Sequence, residues 1–307
     1  FWPSRRARLP TGSWASCQVL GTEATSLTTE VMRNDVPHDN VPYNDVHWAR
    51  CIGTRRWETR MLLSEMTSPE IAALPRDIVV LIPVASCEQH SLHLPVWTDG
   101  FIGQEVARRV HEIVPGDVLV LPVQWLGYSQ HHSRYPGTVS AVSATHLDLM
   151  LDMVDSMVRH GFRKILLQNS HGGNGAGIQV LLQRLMEKYQ KEEAEFYTRW
   201  AWAGGEALNA IRTLPNGSGH AGETETAMML AIRPDLVRTD QLDPDGEKDG
   251  MRVPGVASYH RFDQRTAHGG VGDPRPSTAE MGEDLLEASA AEVAADVQAI
   301  RQLKPFA

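Results

Sequence analysis

The chain has 307 residues, of which 42% are hydrophobic and 22% are charged. This composition is typical of a globular protein, and the length suits one large domain or two small ones. The sequence contains no run of about 18 apolar residues, so we predict no transmembrane helix. The formal net charge of −9 argues against nucleic acid and anionic membranes as partners. The three cysteines include no CxxC pair, which argues against a disulfide framework and against a thiolate zinc site. From this cysteine usage we interpret the chain as cytoplasmic.

The first 60 residues show no clear apolar periodicity. We interpret residues 1–60 as a poorly ordered extension, with an arm that wraps a neighbouring subunit as the alternative. The predicted domain occupies residues 61–307. It begins near a short helix for which Thr67 or Ser68 is the predicted N-cap, with Pro69 at its first position.

Beyond residue 60, apolar runs alternate with helical patterns. The predicted strands are 77–85, 118–123, 163–168 and 195–203. The predicted helices are 99–114, 143–160, one that follows the turn 170–177 and runs to about 193, 223–232 and 277–303. The segments 124–140 and 234–276 are predicted as long loops. This alternation favours an α/β layer fold with a largely parallel sheet, in which ligands bind beyond the carboxyl ends of the strands.

The segment 86–99 follows the first predicted strand and contains Glu88, His90 and Asp99. Residues two apart in a strand point to the same face, so Glu88 and His90 are co-directed if the strand continues that far. Two carboxylates and an imidazole at a strand end suit a divalent metal with oxygen and nitrogen ligands. Asp99 also has a purely structural interpretation as the N-cap of the following helix.

Histidines recur at the predicted ends of strands and in the loops that follow. They are His90 and His93 after the first strand, His131 and His132 after the second, His171 after the third, and His220 before the helix at 223. A single histidine is more often a capping or core residue, but recurrence at one edge indicates a site. Glu223 has a purely structural interpretation as an acid in the first helical turn, where the helix dipole favours it. Asn174 has one as a helix cap.

The glycine-rich turn at 173–177, which reads GNGAG, raises a rival interpretation. Such a turn between a strand and a helix can bind phosphate. Its spacing is G-x-G-x-G rather than G-x-G-x-x-G, and it comes late in the chain, so a dinucleotide enzyme is the weaker hypothesis. The absence of P-loop, G-x-S-x-G and H-E-x-x-H patterns disfavours a serine hydrolase and a zincin protease.

Four ordered motifs resemble those of the creatininase (creatinine amidohydrolase) family and cover roughly residues 61–303. They are PVASCEQHSLHLP at 83–95 followed by Thr98 and Asp99, SQHHSRYPGT at 129–138, NSHGGN at 169–174, and GHAGETET at 219–226. The resemblance implies a three-layer α/β/α sandwich, a binuclear metal centre and a homohexamer. Ala85, Ser91 and Ser170 stand where glycine is common in the family.

The resemblance also implies roles for the matching residues. The implied metal ligands are Glu88, His90, Asp99 and His171, with Asp99 bridging two ions, and His220 is the implied catalytic histidine. Gly173 stands where creatininase itself has a further glutamate ligand, so an acid of the fourth motif, Glu223, is the expected replacement as ligand, catalytic group or both. Ser129, His132 and Asn174 are expected to contact substrate or to orient the ligands.

We therefore predict a metal-dependent hydrolase that cleaves a C–N amide bond in an open or cyclic small molecule. The predicted cofactors are two divalent ions per chain, Zn²⁺ with Mn²⁺ or Fe²⁺ as alternatives. The alternative functions are hydrolysis of a C–C bond in a sugar-like (cyclitol) ketone and non-catalytic binding on the same fold. Arg134 is a candidate for recruiting an anionic substrate, and Trp200 and Trp202 fall in the fourth predicted strand, where core positions are one interpretation.

Overall fold

The computed structural model describes residues 61–191, 194–215, 219–248, 250, 253 and 255–304. The predicted extension at 1–60 lies outside these residues, so both interpretations of it stay predictions. Every helix in the described part of the chain is too short or too polar to cross a bilayer.

In the described part of the chain, four parallel strands form one sheet. They are β1 (Val79–Val84), β2 (Val118–Val120), β3 (Lys164–Asn169) and β4 (Glu195–Trp200), in the spatial order β2-β1-β3-β4. Val79 of β1 lies opposite Val118 on one side and Lys164 on the other. The four predicted strands and their parallel arrangement are confirmed.

Helices connect these strands and follow them. The helices of the described residues are α1 (Ser68–Ala73), α2 (Thr98–Ile113), α3 (Ser143–Arg159), α4 (Gly175–Lys188), α5 (Gly205–Ile211), α6 (Glu223–Ile232), α7 (Phe262–Arg265) and α8 (Ala279–Gln302). All except α5 and α7 have a counterpart in the prediction. Those two helices have 7 and 4 residues, which is too short for a periodic apolar pattern to be recognised.

The sheet is covered on both faces, because successive strand residues point to opposite sides. Val79 and Leu81 of β1 point into a core shared with α2, α6 and α8. Val80 and Ile82 point into a second core shared with α3 and α4. Every residue of β1 is buried, as expected for a strand inside a parallel sheet with helices on both faces. These layers confirm the predicted α/β/α sandwich.

The last helix, α8, closes the first core and packs directly on α6. Thr278 caps it, because its Oγ1 accepts a hydrogen bond of 3.1 Å from the backbone N–H of Met281. Gly282 approaches α6 so closely that a Cβ atom at this position would overlap the carbonyl oxygen of Ala227. Glycine therefore permits the contact that fixes the position of α6.

Candidate metal centre

Two neighbouring strands deliver the central residues to one edge of the sheet. Val84 and Asn169, the last residues of β1 and β3, lie opposite each other in the parallel ladder. The segment 86–99 therefore leaves the sheet beside His171, which follows β3. This is the edge at which parallel α/β sheets bind ligands.

The segment after β1 is not a continuation of the strand. β1 ends at Val84, so the condition under which strand alternation would co-direct Glu88 and His90 is not met. A loop brings both residues inward instead, closed by a hydrogen bond of 2.9 Å from the N–H of Glu88 to the carbonyl of Val96. Asp99 joins them from the first turn of α2.

Asp99 lies at the centre of the cluster. Its Oδ1 is 3.2 Å from His90 Nε2, and its Oδ2 is 3.2 Å from His171 Nδ1. Glu88 Oε1 is also 3.2 Å from His171 Nδ1. All four side chains are buried. A carboxylate whose two oxygens face two different imidazoles is suited to bridging two ions.

Backbone carbonyls fix the orientation of both imidazoles. His90 Nδ1 donates a hydrogen bond to the carbonyl of Glu88, and His171 Nε2 donates to that of Tyr128, each at 3.0 Å. Each ring therefore turns its other nitrogen, which carries a lone pair in this tautomer, towards Asp99. Metal-ligating histidines characteristically make such a bond through the nitrogen that does not bind the metal.

The electrostatics of the cluster favour a bound cation. Burial disfavours a charged imidazole, but the carboxylates of Asp99, Glu225 and Glu88 outweigh it and raise the pKa of His90 to about 9. The same opposition between burial and carboxylates raises the pKa of His171 well above its ordinary value. Among the described residues, Glu88 Oε1, His90 Nε2 and Asp99 Oδ2 are buried without a hydrogen-bond partner. Divalent cations would satisfy both the charge and these atoms, so the residues fit a metal.

Two glutamates at the start of α6 point in different directions. Glu223, the predicted ligand and catalytic residue, accepts hydrogen bonds of 3.0 Å from the N–H groups of Thr213 and Leu214. The structure therefore does not bring it to the cluster. Glu225 Oε2 instead lies 3.8 Å from His90 Nε2. Residues two apart in a helix are separated by about 200° around its axis, so only one of the two can face the site.

The turn after β3 leaves no room for a side chain at Gly173. A Cβ atom here would overlap the carbonyl oxygen of Tyr128 and the Nε2 atom of His171. A glutamate ligand at this position is therefore incompatible with this backbone. The acid that approaches the cluster in its place comes from α6, where Glu225 Oε2 faces His90.

His220 faces the cluster from the loop before α6. Its Nε2 donates a hydrogen bond of 2.8 Å to the carbonyl of Gln89, and its Nδ1 is 3.5 Å from Glu88 Oε1. Burial, together with the nearby His90, lowers the pKa of His220 to about 3. The ring is therefore neutral, and Nδ1 is a proton acceptor beside the cluster.

His132 supports Glu88 from the loop after β2. Its Nδ1 accepts a hydrogen bond of 2.7 Å from Gln89 Nε2, and its Nε2 is 3.4 Å from Glu88 Oε1. His132 also lines the cavity above the cluster. Its position is compatible with either of the roles expected for it, contact with substrate or orientation of a ligand.

Ser129 and Asn174 lie behind the cluster. Ser129 Oγ is 3.3 Å from His171 Nε2, on the side of the ring that faces away from Asp99. Asn174 is fully buried; its Nδ2 donates to the carbonyl of Ala85 at 3.0 Å, and its Oδ1 accepts from the N–H of Tyr128 at 2.9 Å. These bonds hold loops in place, and neither residue lines the cavity.

A cavity of about 320 Å³ opens over the cluster. Its other walls come from the end of β4 and from the segment around α7, and they comprise Trp200, Trp202, Ser258, Tyr259, His260, Phe262 and Arg265. Trp200 is an exposed cavity residue at the end of an edge strand, whereas Trp202 lines the cavity and also packs against the core shared with α2, α6 and α8. Their rings stack with centroids 5.3 Å apart. Arg134 is exposed and lies outside this lining.

Comparison with known proteins identifies the relatives of this chain. The profile of the family described as "Creatininase: Creatinine amidohydrolase" matches residues 64–297. The Mycofactocin precursor peptide peptidase of Mycolicibacterium smegmatis is 34% identical over 218 residues, which are 68% of this chain and 79% of that protein. The Creatinine amidohydrolase of Pseudomonas putida is 32% identical over 182 residues, 54% of this chain and 68% of that protein. A solved mutant creatininase of the Zn-Zn type matches with a TM-score of 0.68 and 26% identity, over 79% of this chain and 99% of its own.

Proposed function

Since this chain belongs to the creatininase family of hydrolases, we propose that it is a binuclear metal-dependent amidohydrolase of a small molecule. The observation that carries the proposal is the Asp99 carboxylate, whose oxygens each lie 3.2 Å from a different imidazole nitrogen. Each oxygen belongs to one donor set. Glu88 and His171 complete the first set, and His90 and Glu225 complete the second.

The donor atoms determine which chemistry the site supports. Mixed carboxylate and imidazole sets suit Zn²⁺ or Mn²⁺, and solved creatininases include both a Zn-Zn type and a Mn form. Divalent ions held there would polarise the scissile carbonyl and lower the pKa of water towards neutrality. The remaining steps fall to residues of this chain.

In this proposal His220 moves the proton. Its neutral ring presents Nδ1 to the cluster, because Nε2 is engaged with the carbonyl of Gln89. Nδ1 accepts a proton from the attacking water and delivers it to the leaving nitrogen. Gln89 fixes the ring through its carbonyl and orients His132 through its side chain, so one residue positions two histidines of the site.

The bond that is cleaved is proposed to be a C–N amide bond. Two relatives are named as a peptide peptidase and a creatinine amidohydrolase, and both names describe hydrolysis of such a bond. This favours amide hydrolysis over the alternative of a sugar-like ketone. The cavity of about 320 Å³ suits a small molecule or one end of a larger one.

Elemental analysis of the purified protein tests the metal centre. We expect about two divalent ions per chain, with loss of at least one in His171→Ala together with loss of amidase activity. His93→Asn is the matched control, because His93 is also buried beside this loop but bonds to Thr226 Oγ1 at 2.8 Å. A wild-type protein that binds no ion after incubation with Zn²⁺ or Mn²⁺ would contradict the proposal.

Assembly is a further part of the proposal. The motif resemblance to the creatininase family supports a homohexamer, and the negative charge and few cysteines support a cytoplasmic enzyme. Light scattering coupled to size-exclusion chromatography tests the first point. The mass of six chains is expected, and the mass of one chain would contradict it.

A further inference from the structure

We infer that His131 is a fourth protein ligand of the first donor set, beside Glu88, Asp99 and His171. The inference rests on the proposed function, because it adds a ligand to one of the two proposed ions. The loop after β2 thereby contributes to the metal centre directly. Zinc in catalytic sites can expand to five ligands, so a fourth protein ligand still leaves a position for water or substrate.

A ring nitrogen of His131 lies close to two of the proposed ligands. This nitrogen, a carboxylate oxygen of Glu88 and a ring nitrogen of His171 all lie within 4.8 Å of one another. Two ligands of a tetrahedral Zn²⁺ ion are about 3.4 Å apart. A modest closure of the three side chains would therefore bring these atoms to a common ion, and both ligand types suit Zn²⁺ or Mn²⁺.

His131 also has a buried nitrogen for which the protein supplies no partner. In the part of the chain that the structure describes, its Nδ1 is buried without a hydrogen-bond partner. Burial of an unpaired polar atom is unfavourable, so a partner from outside the protein is expected at this ring. His132 and His220 differ in this respect, because Gln89 forms a hydrogen bond with each of them.

The glycine at position 173 permits the approach of His131 to His171. A Cβ atom at Gly173 would lie 2.6 Å from His131 Cε1 and 2.4 Å from His171 Nε2. The two rings therefore occupy the space that a side chain would need. Their planes are 14° apart and their centroids are separated by 5.6 Å. The centroid of a ligating imidazole lies roughly 3.2 Å from its ion, so this separation is compatible with one shared ion.

Aromatic neighbours hold the His131 ring before any ion binds. Its centroid lies 5.6 Å from that of Phe262, 5.7 Å from that of Tyr259 and 6.4 Å from that of Tyr128. Packing on several sides reduces the rotamer freedom that the side chain loses when it ligates an ion. A ligand whose orientation is fixed in this way is preorganised for metal binding.

His131→Phe tests the inference, because it keeps a ring among these neighbours and removes the ligand nitrogens. The metal-free proteins are titrated with Zn²⁺ in competition with a chromophoric chelator. We expect the wild type to bind two ions per chain. In His131→Phe the Kd of one ion should rise at least roughly 100-fold, because loss of a direct ligand costs at least as much as loss of a residue that orients one.

The Co²⁺-substituted protein provides a measurement that a purely structural role would not change. The visible absorption of Co²⁺ depends on the number and type of its ligands, so the spectrum of His131→Phe should differ from that of the wild type. In His131→Gly, free imidazole can enter the vacated space and should restore the wild-type spectrum. The glycine variant also serves if His131→Phe does not fold.

His260→Phe is the matched control. His260 lines the same cavity, but within the described residues it belongs to none of the clusters whose ligand atoms could hold an ion. Its replacement should therefore leave both Kd values and the Co²⁺ spectrum unchanged.

The same titrations separate this inference from the proposed function. If the wild type binds no metal, the metal centre and the role of His131 are both overturned. If the wild type and His131→Phe bind two ions with equal Kd values and the same Co²⁺ spectrum, the inference alone is overturned and the metal centre stands. A raised KM in such a variant would then assign His131 to contact with the substrate.

Discussion

Glu223 and Glu225 are two residues apart, yet they bind different parts of the molecule. Glu223 holds the loop before the site through the N–H groups of Thr213 and Leu214, and Glu225 turns its carboxylate towards His90. Both are buried in the first turn of α6. A helix separates their side chains by about 200°, so these tasks cannot be exchanged.

Neutralising each glutamate should therefore have different effects. Glu225→Gln should lower metal content by about one ion and kcat by at least roughly 100-fold, because one donor set loses its carboxylate. Glu223→Gln should leave metal content unchanged but lower the free energy of unfolding by about 1–3 kcal/mol, because its amide group cannot accept all the bonds that the carboxylate accepts. Elemental analysis, initial rates and urea titration measure these effects. Metal loss in Glu223→Gln alone would reverse the assignment.

Ser91 stands where glycine is common in the family, and its conformation and hydrogen bonds show how a serine is accommodated there. Its φ is 56°, in the left-handed region that favours glycine. Ser91 Oγ lies 2.7 Å from His268 Nδ1, and its N–H donates to Gln89 Oε1 at 2.9 Å. The hydroxyl therefore gains a partner that a glycine would lack, which offsets part of the backbone strain.

Two substitutions at this position separate strain from hydrogen bonding. Ser91→Ala keeps the strain and loses the bond to His268, so the free energy of unfolding should fall by about 1 kcal/mol. Ser91→Gly loses the same bond but relieves left-handed strain of about 1–2 kcal/mol, so it should be close to the wild type. Urea titration measures both. An alanine variant at least as stable as the glycine variant would show that Ser91 is not strained.

At the scale of elements, the contact between α6 and α8 holds Glu225 in position. Gly282 packs against the carbonyl of Ala227 without space for a Cβ atom. Met228 of α6 and Leu285 of α8 are fully buried in the same core. A displacement of α8 would therefore move α6, and with it one of the proposed metal ligands.

Gly282→Ala should consequently be destabilising, although alanine is the better helix former. Overpacking at this contact should lower the free energy of unfolding by about 1–3 kcal/mol and weaken metal binding. Gly175→Ala is the control, because it lies in α4 and a Cβ there meets no atom within 4 Å. It should be neutral or stabilising by up to about 1 kcal/mol. Urea titration with metal analysis distinguishes the two, and equal stability would contradict the close packing.

The elements that can be predicted from the sequence are those whose periodicity reflects burial. Strands β1 to β4 and the long helices follow from apolar runs and stripes, because both faces of the sheet are covered. The wall that contains Arg265 lies in a segment predicted as loop, since α7 has only 4 residues. The fourth motif contains both Glu223 and Glu225. Which of the two reaches the cluster depends on how α6 is rotated about its axis, and the sequence pattern does not specify that rotation.

At the scale of the whole molecule, the fold gathers three acids into one buried site. Glu88, Asp99 and Glu225 come from the loop after β1, from α2 and from α6, and all are buried. Burial raises the pKa of Glu225 to about 7, with Asp99 adding to the effect and His90 opposing it. In the metal-free protein, protonated His90 and His171 offset part of this negative charge, because the carboxylates raise the pKa of both rings. We expect bound divalent ions to take over this balancing of charge and to stabilise the fold.

Removal of metal should destabilise the entire protein. Ions present at about a thousand times their dissociation constant contribute about 4 kcal/mol, so chelation should lower Tm by roughly 5–10 °C. In Asp99→Asn the proposed bridging carboxylate is absent, and Tm should no longer respond to chelator or added Zn²⁺. Without metal this variant should be less stable than the wild type, because His90 and His171 lose the carboxylate that lies 3.2 Å from each of them. Differential scanning calorimetry measures all four states. If metal-free Asp99→Asn melts at or above the Tm of the metal-free wild type, the two imidazoles are not charged partners of Asp99 in the metal-free protein.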